Sequence, residues 1–495
     1  MVTIPELNQS MQYTAENLKV ALVSVQSDAE RVPPIGLVYL ATYLRDVTGL
    51  KGENIRIFDQ NYTEGIEAEI EEFAPSLIGF STMAVTYGKT AQLARRLRPK
   101  CAVPFILGGV HISTMPMSLD PMFDVAVLGE GELTLHELIQ AFLQHQGLPK
   151  EQLADIKGLA YFDQPNQPPQ LTAPRPLICN LDELPIPDFR FACRDYFTKD
   201  EIPAIAGVGI RAYVFSSRGC PYRCTFCSTA KFWDRIRYHS PDYTARLVKH
   251  FIDEFGSDYL KIEDDLFTVS AKRLREMRAA FVRHGILDHL KAVECHPRAN
   301  LINDELCEAM RDLKIKVANL GFESGSDRIL KSLKVGTASV EQNKKVIQLC
   351  NQYGIYVYGS LMYGVPGETL ADMEKTNDFI DFCIENGARY IWSFVATPFP
   401  DTPFWEEAVK RGKVSNQMDW EKIDLHNTTA PLLLDDGIDL DEFRRVFMKG
   451  RRKLRKLKAR MILQFLMHHP IYAMWRTLTQ PKRYLSVMHK WFFKQ

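Results

Sequence analysis

Apolar positions fall into two kinds of pattern along this 495-residue chain. In the N-terminal third, five short and nearly continuous apolar runs occur: "KVALVSV" from Lys19, "IRIFD" from Ile55, "LIGFST" from Leu77, "PFILGGV" from Pro104 and "VAVLGEGE" from Val125. Between them lie stretches of helical periodicity such as "PIGLVYLATYLRD" from Pro34 and "TAQLARRLR" from Thr90. Strands that are apolar at every position are those covered on both faces. The pattern therefore predicts a parallel sheet with helices on both sides, a doubly wound (Rossmann-like) domain over residues 1–148. Several runs end in Gly, Ser or Thr at the carboxyl end, where open α/β sheets bind ligands.

Prolines crowd the next stretch, "FDQPNQPPQLTAPRPLICNLDELPIPDF" from Phe162 to Phe189. Each removes a backbone donor and fixes φ, so an extended connector over 149–205 is expected in place of a packed helix or central strand. The alternation resumes near Arg211 with the candidate strands "RAYVFSSRG", "YLKIEDDLF", "LKAVECHP", "KVANLGFESG", "YGSLMYGVPG" and "YIWSFVATPFP". Helical stretches such as "SAKRLREMRAAFVRHG" separate them. Six units are too few to close an eight-unit barrel, so a partial (βα)6 barrel of TIM type is predicted over 206–400, its polar strand ends lining one mouth. A helical C-terminal region over 401–495 completes this α/β chain.

Composition, 46% hydrophobic and 25% charged, is close to that of soluble globular proteins. No basic-then-apolar leader opens the sequence and no apolar run reaches the length of a membrane span, so a cytoplasmic protein is expected. The net charge of zero conceals an asymmetry. Residues 451–495 carry twelve Lys or Arg and no Asp or Glu, leaving 49 basic against 61 acidic side chains in the rest. There "RRKLRKLKARMILQFLMHHPIYAMW" sets Leu454, Leu457, Met461, Leu463 and Phe465 among cations, with Trp475, Trp491 and Phe492 nearby. A basic amphipathic helix of this kind suits peripheral contact with an anionic membrane at its inner face. The alternative is a helical cap docked on the acidic body, its charges merely solvated. No RNA-binding module accompanies the tail, so no nucleic-acid partner is expected.

Ten cysteines without a leader argue for reduced thiols and metal chemistry. Three of them, Cys220, Cys224 and Cys227, stand together in "RGCPYRCTFCS". Thiolates at i, i+4 and i+7 of one loop can point at a common centre. A structural zinc site wants four protein ligands, usually as two Cys-x-x-Cys pairs, and the other seven cysteines each stand alone. Spacing leaves three readings: an iron–sulfur cluster with three protein ligands and one open iron, zinc completed by a distant His or Cys such as His239, or three ordinary thiols.

The segment "CPYRCTFC", after a strand and opening a partial barrel, resembles the Cys-x-x-x-Cys-x-aromatic-Cys signature of radical S-adenosylmethionine (SAM) enzymes. The resemblance implies that Cys220, Cys224 and Cys227 hold a [4Fe–4S] cluster whose fourth iron SAM chelates. It implies also that one electron, from an external donor of flavodoxin or ferredoxin type, cleaves SAM to methionine and a 5′-deoxyadenosyl radical. The SAM contacts it implies are Phe226, Glu323 in "GFESG", Arg298 in "ECHPRAN", and Gly364 and Pro366 in "YGVPGET". Glu and Arg offer charge-assisted hydrogen bonds to an amino-acid zwitterion, and glycine permits close backbone approach. Where many members carry Gly-Gly-Glu, this chain reads "KIEDDLF", and Asp264 is the expected contact among its three carboxylates.

A doubly wound domain ahead of such a barrel resembles the cobalamin-binding subgroup, matched by "PIGLVYLATYLR", "IGFSTM", "GGVHISTMP" and "GEGE". The implied cobalamin contacts are Asp59, Asn61, Ser81, Thr82, Gly108, Gly109 and Gly129. Unlike the Asp-x-His-x-x-Gly loop of cobalamin mutases, "FDQNYTEG" holds no His, which leaves the lower cobalt ligand open. His111, the nearest imidazole, reads as a structural residue of the "GGVH" turn. The subgroup includes the anaerobic magnesium-protoporphyrin ester cyclase and hopanoid methylases. It implies methyl transfer from methylcobalamin to an unactivated carbon of a small hydrophobic substrate, by way of the 5′-deoxyadenosyl radical. Oxidative cyclisation or rearrangement is the enzymatic alternative, and an electron-transfer or sensor protein the non-catalytic one.

Overall fold

The structure, a computed structural model, describes residues 12–25, 32–63, 65–164, 166–202, 207–470 and 474. Each of the five N-terminal apolar runs forms a strand: β1 (Val20–Ser24), β2 (Ile55–Asp59), β3 (Leu77–Ser81), β4 (Phe105–Gly108) and β5 (Val125–Val127). They are joined through α1 (Ile35–Asp46), α2 (Ile66–Phe73), α3 (Tyr87–Leu97) and α4 (Val110–Thr114), and α5 (Gly131–His145) follows. The strands run parallel in the order β2-β1-β3-β4-β5. The order reverses at β1, and the crevice at the carboxyl ends there is where doubly wound sheets hold ligands. Register aligns those ends: Ser24 lies beside both Asp59 and Ser81, and Ser81 beside Gly108.

The sheet continues past residue 148. After α6 (Lys150–Leu153), β6 (Leu159–Tyr161) pairs antiparallel with β5, and β7 (Gln170–Leu171) with β6. The first part of the expected 149–205 connector is thus sheet, because Leu159, Ala160 and Tyr161 form a short buried apolar run ahead of the prolines. Beyond it the chain is extended, broken by 3-10 turns at Leu181–Glu183, Phe189–Phe191 and Arg194–Phe197. Phe189, Tyr196 and Phe197 of these turns bury in the core of the second unit.

A short antiparallel pair, β8 (Asp200–Ile202) with β9 (Gly207–Gly209), leads into that unit. Its six strands match the six candidate runs: β10 (Arg211–Val214), then, after a two-stranded hairpin of β11 (Ser217–Arg218) and β12 (Arg237–Tyr238), β13 (Tyr259–Ile262), β14 (Ala292–Cys295), β15 (Ile315–Glu323), β16 (Tyr356–Tyr363) and β17 (Tyr390–Val395). They form one parallel sheet in that sequence order. The hairpin loop carries α7 (Thr229–Phe232), and α8 (Pro241–Phe255), α9 (Ala271–Arg283), α10 (Asp304–Asp312), α11 (Asp327–Leu333), α12 (Val340–Gln352) and α13 (Leu370–Glu385) follow in turn. Local signals start them: Ser240, Ser270, Asn303, Ser339 and Thr369 each accept a backbone N–H of the first turn, the last two in full capping boxes.

Strand alternation divides the barrel. Leu260 and Ile262 of β13 join the core under the helices, whereas Tyr259 joins Ala292, Val317, Tyr358 and Tyr390 in a smaller cluster near the amino ends of the strands. After α14 (Pro403–Lys410), the long helix α15 (Leu440–His468) closes that floor. Its Met461 belongs to the cluster, and Tyr358 donates to the Met461 sulfur at 3.0 Å. Leu454, Leu457, Met461 and Phe465 are buried as the helix docks along α13 and β17, while Leu463 stays exposed. Trp475, Trp491 and Phe492 lie outside the described residues. Among the described residues, no helix is long and apolar enough to cross a membrane.

Candidate functional site

The cysteine loop hangs between fixed points. At its base, Ser217 and Arg218 pair with Tyr238 and Arg237 across the β11–β12 hairpin. Within it, Cys227 N–H donates to Cys224 O at 3.1 Å, and Thr225 N–H donates to Leu333 O at the end of α11 at 3.0 Å. All three thiols are half-buried and free. Burial pushes the Cys220 and Cys227 thiols up, with the neighbouring cysteines and Asp265 adding to it. A metal that captures them as thiolates must therefore displace protons.

Cationic and aromatic groups gather around this loop. Arg298 points Nη1 at Cys224 Sγ, 3.3 Å away, and its guanidinium lies 3.7 Å from the centroid of the Tyr222 ring. Glu323 ends β15 with φ 63°, is buried, and pairs with Lys334 Nζ at 2.8 Å. Lys334 Nζ is in turn 5.7 Å from the Phe226 ring centroid. The turn with Gly364 and Pro366 follows β16, and Glu368 Oε2 fixes it by accepting from Gly364 N–H at 2.7 Å and Val365 N–H at 3.2 Å. Phe226, Val365 and Phe404 share one apolar cluster. Phe226, Arg298, Glu323, Gly364 and Pro366 thus lie about one mouth.

Asp264 does not join them. Alternation at the end of β13 turns it away from the barrel interior, and its carboxylate accepts from the backbone and hydroxyl groups of both Ser216 and Ser217, at 2.5–3.1 Å. It is 1% exposed. The expected SAM contact is corrected to a brace beneath the cysteine loop. Asp265, next along, accepts from Thr229 just beyond Cys227 at 3.1 Å. Lys334 carried no signal in the sequence, since only folding sets it against a carboxylate eleven residues earlier.

The donor set fits a cluster better than a single ion. Three thiols on one loop, with no carboxylate or imidazole of the same loop beside them, are soft donors of the kind that iron–sulfur clusters take. His239 is committed elsewhere, stacked on Tyr243 at 3.9 Å with Nδ1 3.2 Å from Asp182.

On the facing edge of the N-terminal sheet, Asp59 is buried and accepts from Tyr196 hydroxyl at 2.5 Å and from Asn61 N–H at 3.0 Å. Thr82 is buried, its hydroxyl donating to Met83 O at 3.1 Å. Gly109 has φ 100°, and a Cβ there would sit 2.4 Å from Thr82 O, so only glycine fits. Gly129 N–H donates to Ser113 Oγ at 2.9 Å. Ser81, Gly108, Gly109 and Gly129 are half-exposed, and the large apolar Met83 (50% exposed) and Val110 (37%) stand on the same loops. Small and apolar surface at a sheet's carboxyl edge suits the flat face of a corrin. His111 is structural, as its turn implied: it stacks on Tyr87 at 4.1 Å and meets Trp420 at 4.3 Å, and burial lowers it to about 3.

Comparison with known proteins agrees with both halves. Residues 214–380 match the radical SAM superfamily, and residues 19–139 match the B12 binding domain. An uncharacterised methyltransferase of Pyrococcus horikoshii is 30% identical over 408 residues, spanning 81% of this chain and 83% of that protein. The anaerobic magnesium-protoporphyrin IX monomethyl ester cyclase of Cereibacter sphaeroides is 25% identical over 87% of this chain and 66% of its own length. The fold is similar to that of TsrM, a radical SAM methyltransferase from Kitasatospora setae solved with cobalamin and a [4Fe–4S] cluster bound: TM-score 0.65, 18% identity, 88% of this chain and 82% of that one. A [4Fe–4S] cluster, SAM and cobalamin are accordingly the cofactors of this protein. The chain belongs to the cobalamin-binding radical SAM family of enzymes.

Proposed function

We propose that the protein transfers a methyl group to an unactivated carbon of a small hydrophobic substrate. One observation carries this reading: the cysteine-loop side and the cobalamin-type sheet edge close over a single apolar core. Ile112 and Met115 of the sheet domain lie in the same cluster as Leu333 and Val365 of the barrel and Phe404 of α14, with Phe226 packed against it. When bound, the cluster and SAM supply a carbon-centred radical and cobalamin supplies the methyl group; the protein's part is to hold substrate between them and exclude water.

In this reading Cys220, Cys224 and Cys227 ligate the cluster. Phe226, Arg298 and Glu323, with the Gly364–Pro366 turn, hold SAM, Arg298 serving its carboxylate and Glu323 its amino group. The loops carrying Asn61, Ser81, Gly108, Gly109 and Gly129 take cobalamin, while Asp59 and Thr82 shape those loops from beneath. The organisation is a cobalamin domain, a connector, a barrel and a helical C-terminal region. The Pyrococcus relative's name supports methyl transfer over cyclisation. Anaerobic reconstitution with iron, sulfide, cobalamin and methyl-labelled SAM tests it on a panel of hydrophobic substrates. Label in product is the expected result; 5′-deoxyadenosine without transferred label overturns methyl transfer.

Reducing equivalents come from an external flavodoxin- or ferredoxin-type donor. The enzyme works in the cytoplasm at the membrane surface, seated through residues 451–495. On the outer face of α15, Arg452, Arg455, Lys456 and Arg460 have no ion pair among the described residues, and Leu463 (58% exposed) and Met467 (62%) follow them. Each such cation contributes about 1 kcal/mol at an anionic surface. Co-sedimentation with vesicles containing phosphatidylserine, and none with phosphatidylcholine alone, is the expected outcome; equal recovery with both would discard it.

A further inference from the structure

Resting on the two-cofactor reading above, we propose that Glu130 is a positioning residue: it locks the cobalamin-side loop to the cluster loop and so fixes the offset between the two cofactor sites. Glu130 follows Gly129 at the carboxyl end of β5. Its carboxylate accepts from Arg218 Nη1 at 2.5 Å, from Arg237 Nη1 at 3.0 and 2.9 Å through both oxygens, and from the connector's Ile178 N–H at 2.7 Å. Arg237 Nη1 also donates to Ile178 O at 2.6 Å, and Arg218 Nη2 to Glu132 Oε1 at 2.6 Å. The sheet domain, the connector and the barrel hairpin thus meet on one carboxylate.

Both ends of this lock are stiff. Arg218 and Arg237 face each other across the β11–β12 hairpin. Cys220 lies two residues beyond Arg218, and between them Gly219 has φ 96°, where an added Cβ would sit 2.7 Å from Arg235 O. On the other side Gly129 is tied to Ser113 of α4, the helix opened by Gly109. A shift of Glu130 therefore moves the cluster loop and the cobalamin loops relative to one another.

The four side chains are 4–13% exposed. Two cations and two carboxylates removed from water gain little cohesion over a packed apolar contact, because desolvation offsets their attraction. The shared apolar core already holds the two units together. What the charges add is one allowed docking geometry, since Arg218 spans Glu130 and Glu132 through Nη1 and Nη2 while Arg237 Nη1 straddles both Glu130 oxygens, and a slip separates buried opposite charges.

The test uses the full chain reconstituted with iron, sulfide and cob(II)alamin, the cluster reduced with dithionite. Pulsed EPR reads the distance distribution between the cluster and cob(II)alamin. The wild type is expected to give one narrow distance. Glu130→Gln should widen it at least about twofold at unchanged iron and cobalamin content, and Glu132→Gln, which keeps an acceptor for Arg218 but removes its countercharge, should widen it less. Unchanged widths in both overturn the proposal. Should Glu130→Gln fail to fold, Glu132→Gln and Arg237→Lys carry the same comparison, and unchanged widths there overturn it equally. Hydrogen exchange on the unloaded chain separates this inference from the function it rests on. In the Glu130 or Glu132 variant, exchange is expected to rise together in 129–132 and 217–220; a rise in one segment alone overturns the lock. A wild type that binds no cobalamin would sink the methyl-transfer reading and leave the exchange result to decide the lock.

Discussion

Along the carboxyl edge of the N-terminal sheet, polar side chains are bound within the protein: Asp59 to Tyr196, Thr82 to Met83, His111 between Tyr87 and Trp420. The surface that remains is backbone, small side chains and exposed apolar groups. At the barrel mouth the reverse holds. Three thiols, a guanidinium against one of them and a buried Glu323–Lys334 pair keep reactive or charged groups near the opening. A large flat ligand is accommodated by shape, whereas a small zwitterion beside a cluster needs charge. The same chain builds each face from different parts of its sequence.

The contrast can be broken from either side. Cys224→Ala should reduce SAM cleavage to background, read as 5′-deoxyadenosine, with cobalamin content unchanged; loss of both cofactors together would show that the faces are not separately built. Lys334→Met leaves the Glu323 carboxylate buried without its cation and should cost about 3–5 kcal/mol in urea unfolding. Adding Glu323→Gln should restore most of that. Gly109→Ala forces a left-handed φ on a residue with a Cβ and drives it into Thr82 O; about 3 kcal/mol is expected, with cobalamin retention falling while iron content holds. Asp264→Asn should cost about 2 kcal/mol through its serine contacts yet leave SAM affinity within about twofold, measured by equilibrium dialysis. A tenfold loss of affinity in a folded variant would return Asp264 to the SAM site.

The smallest effect concerns pH. Burial raises the Glu368 carboxyl from 4.5 to about 8, against the two backbone N–H groups of the turn that it accepts. The folded state therefore prefers it protonated. That contribution is full below pH 4.5 and is lost as pH rises through about 8. Thermal midpoints of the wild type should fall more over that range than those of Glu368→Gln; parallel curves would refute the assignment.

Strands, helix starts and the cysteine loop were legible because their determinants are local: continuous apolar runs, Ser or Thr caps, three cysteines within eight residues. Glu323 was legible as the end of a strand motif. Asp264 was not, because three consecutive acids fall on alternating sides of a strand end, and only the neighbouring serines decide which is consumed. Arg218 stands two residues before the first cysteine of the loop, yet its meaning depends on Glu130, 88 residues earlier in another unit. Tyr196 likewise reaches Asp59 across 137 residues. The short strand β6 escaped because three residues are too few to show a period.

The helix that seals the floor of the barrel also bears the basic stripe. Met461 on its inner side touches Tyr358 of β16, and the other end of β16, at Tyr363, runs into the Gly364–Pro366 turn at the mouth. An extended strand transmits displacement along its axis with little give. A displacement on the outside of α15 thus arrives at the mouth through one stiff rod, so the basic stripe and the opening are mechanically in series. Trimming the chain ahead of Leu454 would remove more than charge: it would pull the keystone from the barrel's lower ring.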